Sequence, residues 1–140
     1  MGIAELVVAT AAAVMQAIDT WENFRDRRRA REAYEEELRR AQTSEEVKAE
    51  AKQIEDVVPE SVLNSIYERI NECWTRYDSI LRGDFGQEEV DQATRAAIRC
   101  WCREVNRIKT VTGKLPDSSG VDFPGKWEQY DCAKRIAAGL

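Results

Sequence analysis

The most reactive side chains in this 140-residue chain are those of its four cysteines, Cys73, Cys100, Cys102 and Cys132. Their spacing differs from that of zinc sites, where paired cysteines have two to four residues between them or are joined by histidines. Cys100 and Cys102 also point about 200° apart on a helix, so they cannot readily share one metal ion. We expect reduced cysteines that pack as small apolar side chains, with a disulfide from Cys73 or Cys102 to Cys132 as the open alternative.

Histidine is absent from the sequence, which removes the commonest general base, proton shuttle and metal ligand. A cysteine nucleophile would therefore have no histidine to activate it. The glycines Gly83, Gly86 and Gly113 form no phosphate-binding motif. We predict no catalytic residue, no metal and no cofactor, and a protein that is not an enzyme. The net charge of −5 argues against nucleic-acid binding.

Five arginines within seven residues form the densest basic cluster of the chain. Its members are Arg25, Arg27, Arg28, Arg29 and Arg31. The cluster directly follows Trp21 and Phe24, and aromatic residues at headgroup level beside arginines are typical of a segment that binds anionic lipid. The alternative is a solvated helix face on which the arginines pair with Glu32, Glu35 and Glu36.

The arginines follow the most apolar segment of the chain. Between Ile3 and Ile18, 13 of 16 residues are apolar and Glu5 is the only charge. At about 100° per residue, the larger apolar side chains form one helical stripe, and small or polar residues lie opposite. The stripe contains Ile3, Val7, Val14, Ile18 and Trp21, with Leu6 at its edge, and the opposite strip contains Glu5, Ala9, Ala12 and Gln16. Sixteen helical residues extend about 24 Å, less than the ~30 Å hydrocarbon core, so a permanent transmembrane span is not expected.

Such a helix has two interpretations. It is either the permanent core of a soluble bundle, or a helix that is packed in the resting protein and enters a bilayer when released. For the second interpretation, the predicted membrane-insertion residues are Ile3, Glu5, Leu6, Val7, Val14, Ile18 and Trp21. Glu5 would tune insertion, because a carboxylate at bilayer depth is costly.

The remaining pattern predicts an all-α fold, because no run alternates like a strand and only three prolines interrupt the chain. The expected helices are one from Ile3 into the arginine cluster, one after a capping box of Thr43 and Glu46, one that opens at Pro59, one from about Gln87 to Val111, and a short one near Pro124. The third has the clearest core pattern, with Leu63, Ile66, Ile70, Cys73, Tyr77 and Ile80 three or four residues apart. We therefore expect residues 1–140 to form one domain, a four-helix bundle with an apolar N-terminal helix and a short C-terminal capping helix. The chain is also compatible with a domain excised from a longer protein that has a C-terminal or partner-borne signalling motif.

The closing part of the sequence carries a family resemblance. It contains Cys100-Trp101-Cys102-Arg103-Glu104-Val105, then Gly113-Lys114-Leu115-Pro116, then Trp127-Glu128-Gln129-Tyr130-Asp131-Cys132. With the apolar helix that begins at residue 2 and its charged continuation, the chain resembles bacterial Bell-type cell-death effector domains. It is also similar to the HeLo, HeLo-like and mixed-lineage-kinase-like membrane-targeting bundles.

The resemblance implies a membrane-permeabilising effector of bacterial immunity and programmed cell death, with Gly2 to Ile18 as the acting segment. It implies membrane lipid and self-association as partners after activation, and an upstream signalling protein as the trigger. The domain would rest in the cytoplasm and relocate to the inner face of the cell membrane. One departure from the family is that no amyloid-like motif follows the bundle. The alternative function is a helical adaptor that binds another protein and has no membrane activity.

Overall fold

The structure is a computed structural model that describes residues 2–24, 27–117 and 122–140. The described residues form seven α-helices and no strand. The helices are α1 (Ile3–Phe24), α2 (Arg27–Thr43), α3 (Glu45–Val57), α4 (Glu60–Arg82), α5 (Gln87–Thr112), α6 (Phe123–Gln129) and α7 (Cys132–Ala137). The all-α class, the apolar N-terminal helix and the short C-terminal helices are thereby confirmed.

Helix α1 lies at the centre of the bundle. It packs against α2, α3, α4 and α5, whereas α6 and α7 pack together and α7 lies on α5. The apolar composition of α1 explains this position, because the helix with the least polar surface loses least when it is surrounded.

The first predicted helix is two helices in the structure. α1 ends at Phe24, and α2 begins at Arg27 and packs extensively against α1. These contacts show that α2 lies alongside α1. Ala30 of α2 is fully buried, so this charge-rich helix uses its small apolar positions for contact and keeps Arg28, Arg29 and Glu32 in solvent.

Helix α3 begins one residue later than the sequence indicates. Ser44, not Thr43, is the N-cap, and its hydroxyl accepts a hydrogen bond of 3.3 Å from the backbone N–H of Val47. Thr43 is the last residue of α2. Adjacent hydroxyl residues compete for the cap position, and the one with extended backbone geometry takes it.

Helices α4 and α5 are the long pair that the core pattern predicts. Leu63, Ile66, Ile70 and Tyr77 are buried in α4, together with Leu81, whereas Cys73 and Ile80 are half-buried. α5 runs one residue further than expected and is capped by Gly113, whose φ of 81° requires a left-handed conformation. The C-terminal segment then begins at Asp122, whose side chain caps α6 by accepting from the N–H of Gly125 at 3.0 Å.

Candidate functional site: helix α1 and the residues that hold it

Helix α1 is buried on nearly all sides. Of the seven predicted membrane-insertion residues, Val7, Val14, Ile18 and Trp21 are buried, and Ile3, Glu5 and Leu6 are half-buried. The strip expected on the opposite side does not face water throughout. Ala9 and Ala12 are 4% and 0% exposed, and only Glu5 and Gln16 of that strip keep partial exposure. Alanines allow neighbouring helices to approach closely, so this side of α1 is enclosed as well.

The apolar segment is also longer than Ile3 to Ile18. Residues Ile3–Asn23, 21 in number, form one helix that is long and apolar enough to cross a membrane by length and composition alone. At 1.5 Å per residue they extend about 32 Å, close to the ~30 Å hydrocarbon core. Core helices of soluble proteins and signal sequences meet the same criteria, and 67% of the most apolar window is buried here. The helix is therefore longer than the 24 Å expected from residues 3–18, and its length no longer argues against a membrane span. Its burial agrees equally with a core helix.

Two buried aromatic side chains donate hydrogen bonds to the backbone of α1. Nε1 of Trp101 donates to the carbonyl oxygen of Ala11 at 3.0 Å. The hydroxyl of Tyr130 donates to the carbonyl oxygen of Met15 at 3.3 Å. Burial is the main cause that raises the pKa of Tyr130, so its hydroxyl stays protonated and remains a donor. Phe123 completes this aromatic cluster, with its ring centroid 5.9 Å from that of Trp101 in a stacked arrangement. The Trp101 and Tyr130 rings meet edge to face at 5.4 Å.

An ion pair adds a further link between α1 and α6. Nζ of Lys126 lies 2.8 Å from Oδ1 of Asp19, and the Lys126 side chain is only 15% exposed. Together, Trp101, Phe123, Tyr130 and Lys126 form what we call the α1 clamp. The contact between Trp101 and Ala11 was not predicted from the sequence. A buried indole N–H needs an acceptor, which is the signal that could have indicated this contact.

All four cysteines are paired, contrary to the expected reduced state. Cys73 of α4 joins Cys100 of α5, with Cα atoms 6.5 Å apart, and Cys102 of α5 joins Cys132 of α7, with Cα atoms 5.1 Å apart. The second bridge is one of the alternatives left open by the sequence. The first was not foreseen, because it depends on how α4 and α5 pack. Since Cys100 and Cys102 point to opposite sides of α5, they bridge two different helices.

The predicted lipid-binding arginines are only partly described. Arg25 lies outside the described residues, and although Arg27 begins α2, its side chain is not among those described. Arg28 is 84% exposed and lies 3.7 Å from Glu32, as the solvated-face alternative predicts. Glu35 and Glu36 instead contact Arg82 and Arg40, at 3.1 and 3.2 Å. Arg29 is exposed and Arg31 half-buried, so part of the cluster is accessible from solvent.

The most unusual ionisable group is Glu104, which is completely buried. Its Oε1 accepts a hydrogen bond of 3.3 Å from Nε of Arg103, and its Oε2 lies 3.5 Å from Nε of Arg107 with no hydrogen-bond partner among the described residues. Burial raises the pKa of the Glu104 carboxyl above its ordinary value, and the neighbouring arginines oppose this shift. Among the described residues, no group of three or more cysteines, aspartates and glutamates is placed to hold a metal ion.

Comparison with known proteins returns no match: no family model, no curated protein and no solved structure matches this chain.

Proposed function

We propose that this chain is a membrane-permeabilising effector domain whose acting segment is α1. The observation that carries the proposal is that a helix of membrane-spanning length and composition is enclosed in a bundle with mostly polar outer surfaces. When α1 is released, it would insert into the bilayer, with the accessible arginines of α2 on anionic headgroups. The resemblance of the sequence to Bell-type and HeLo-type bundles makes programmed cell death in bacterial immunity the process that we propose.

Release of α1 would require the α1 clamp to open. The clamp hydrogen bonds to Ala11 and Met15 contribute about 0.5–1.5 kcal/mol each, which a partner protein or clustering of the domain could offset. The larger contribution is the apolar surface of α1, which a bilayer would cover again after insertion. The proposed trigger is therefore an upstream protein that loosens the clamp, followed by self-association at the membrane.

The disulfides bear on where the domain rests. Disulfides persist mainly in oxidising compartments and are rare in a reducing cytoplasm. The pairs Cys73–Cys100 and Cys102–Cys132 thus argue against the cytoplasmic resting location expected from the sequence. Alkylation of free thiols in intact cells, followed by mass spectrometry, shows whether the four cysteines are free, as expected in a reducing cytoplasm, or paired, as expected in an oxidising compartment.

The test of the proposal places charges on α1 where the folded bundle tolerates them. Thr10 and Gln16 are only half-buried, so Thr10→Glu/Gln16→Glu should leave the bundle folded. In a bilayer, two charged side chains near the helix centre cost about 5 kcal/mol or more, which reduces insertion more than a thousandfold. Val14→Glu is unsuitable, because Val14 is 2% exposed and the variant would unfold.

The assay is dye release from vesicles of phosphatidylcholine and phosphatidylglycerol, with the domain clustered through a multimerising tag. Parent protein and the matched control Asn64→Glu/Thr75→Glu, at exposed positions of α4, should release dye, and Thr10→Glu/Gln16→Glu should not. Circular dichroism confirms that each variant is folded. No release by the clustered parent, or equal release by the α1 variant, would contradict the proposal.

The alternative function, an adaptor, is favoured by one observation: four helices pack on α1, as on a permanent core helix. Hydrogen exchange separates the two functions. If α1 is releasable, amides from Val7 to Val14 should exchange faster than those from Ile66 to Tyr77, because α1 would open below the global free energy of unfolding. Equal protection of both segments would favour the adaptor.

A further inference from the structure

A groove between α4 and α5 has a volume of about 570 Å³. Cys73–Cys100 lies towards the end of the groove that is away from the α4–α5 turn. Towards the α4–α5 turn the groove is lined mainly by apolar side chains, with Glu89 and Gln92 at its margin. The apolar residues are Tyr77, Ile80, Ala93 and Phe85, which is 43% exposed. A groove of this kind fits a helix that lays one face into it.

The other end of the groove is basic. Arg76, Arg99 and Arg103 line it. Arg76 and Arg103 also line an adjoining cavity, together with Arg69 and the carboxylate of Glu72. Arg69, Arg76 and Arg99 are exposed and form no ion pair within the part of the chain that the structure describes. In a chain with a net charge of −5, these unpaired arginines select an acidic occupant.

The outward face of α3 is complementary to this groove, because acidic, neutral and apolar residues follow one another along it. Four exposed residues, three or four positions apart, form one strip along this helix: Glu46, Ala49, Gln53 and Val57. The nearest lysines, Lys48 and Lys52, lie about 100° or more around the helix from the centre of the strip. The strip therefore has a carboxylate at its start, small or neutral side chains in the middle and an apolar tip.

The groove has the same order with opposite charge, because its arginine end is followed by an apolar end. Val57 at the tip of the strip is 59% exposed, and Phe85 in the groove is 43% exposed. These two are among the few large apolar side chains that the described part of the chain leaves in solvent. One contact between α3 and the groove would cover both.

We propose that α3 of one copy docks into the α4–α5 groove of a second copy. The 13 residues of α3 extend about 20 Å, and the groove from Glu89 to Arg103 covers a similar ~21 Å of α5. Glu46 lies at the arginine end, and Val57 contacts Ile80 and Phe85. Because the two surfaces differ, the contact is head-to-tail and continues from copy to copy.

A single short helix in a groove makes a small interface, so the association is weak and depends on protein concentration. Clustering by a trigger would therefore drive it. This inference rests on the self-association step of the proposed function and deepens it by naming both surfaces. The test uses no lipid, so its failure would leave the proposed role of α1 in membranes untouched.

The experiment is sedimentation velocity of the intact protein up to about 1 mM, at low and high salt. The parent should form oligomers of increasing size with concentration, and high salt should weaken them. Arg76→Glu/Arg99→Glu in the groove and Glu46→Arg/Ala49→Arg on the strip should each associate at least about tenfold more weakly, because like charges then face each other. Arg95→Glu/Lys134→Glu, which reverses two exposed charges that do not line the groove, is the matched control and should behave as the parent does.

Mixing the groove variant with the strip variant provides the decisive measurement. In the mixture, the basic strip of one variant meets the acidic groove of the other, and the unchanged strip and groove also meet. Association should therefore return, although each variant alone associates at least about tenfold more weakly. Circular dichroism of every variant, together with the matched control, excludes unfolding as the cause. A parent that stays monomeric, variants that associate like the parent, or a mixture without restored association would overturn the proposal.

Discussion

Removal of the two disulfides should lower the free energy of unfolding substantially. The bridges close loops with sequence separations of 27 and 30 residues, and the loops do not overlap. In the chain-entropy model each bridge then contributes about 3.6 kcal/mol by restricting the unfolded chain. The sum of about 7 kcal/mol is a large part of the roughly 5–15 kcal/mol typical of single domains.

Urea unfolding with and without a thiol reductant measures this contribution. We expect no free thiol before reduction and four after it. Reduction should lower the free energy of unfolding, and it should also raise the m-value, because an unconstrained unfolded chain exposes more surface. Cys102→Ala/Cys132→Ala should show about half of the loss, and Cys73→Ala/Cys100→Ala a similar half. Each double variant should unfold roughly 10–15 °C below the parent.

Two results would refute this reasoning. Four reactive thiols in the oxidised, folded protein would show that the cysteines are unpaired. A loss of stability without any change in m-value would place the effect in the folded state, through packing, and not in the unfolded chain.

Three further predictions concern buried residues. Glu104→Gln should raise the free energy of unfolding at pH 7. Burial raises the pKa of the Glu104 carboxyl in the folded protein above its ordinary 4.5. The stability that this group contributes is therefore present at low pH and is lost as the pH rises from 4.5 through the folded pKa. Urea titrations across this range should show that decline in the parent and not in the variant; equal slopes would contradict the assignment. Trp101→Phe should cost about 2 kcal/mol through the lost hydrogen bond to Ala11 and a smaller ring, and a cost below about 0.5 kcal/mol in chemical unfolding would argue against the contact. Ala12→Leu should cost about 1–3 kcal/mol by overpacking, whereas Thr10→Leu at a half-buried position should be nearly neutral; equal thermal stabilities would disprove the enclosed position of α1.

The periodic core of α4 was predictable because its pattern admits one interpretation. Leu63, Ile66 and Ile70 recur at helical spacing, and Tyr67 and Trp74 widen the apolar face, so most of this face must be buried. The all-α class follows from the same regularity. Helix ends were predicted to within one or two residues where a glycine or proline marks them, as at Pro59 and Gly113.

The enclosure of α1 could not be predicted from its pattern. Alanine suits both a solvent-facing strip and a close helix contact, so Ala9 and Ala12 carry no directional information. Their burial depends on the helices that pack around α1, which the pattern of α1 itself does not specify.

The cysteine pairing was half predictable. The opposite directions of Cys100 and Cys102 follow from helix geometry, and they explain why the two residues bridge different helices. Which partner each one meets depends on tertiary packing, since α4 and α7 approach α5 from different sides. The acceptor of the Trp101 N–H lies 90 residues earlier in the chain, so this contact is again a matter of packing.

The positions of the disulfides divide the molecule into two parts, one cross-linked and one without a disulfide. Residues 73–132 are cross-linked through α5 to α4 and α7, whereas α1, α2 and α3 have no covalent bond to the rest except the peptide link at Val58 and Pro59. The first three helices could therefore swing away as one arm while the cross-linked part keeps its shape. No covalent bond would have to break, although the α1 clamp and the Glu35–Arg82 ion pair would have to open. The point about which the arm turns would be a single extended joint between α3 and α4.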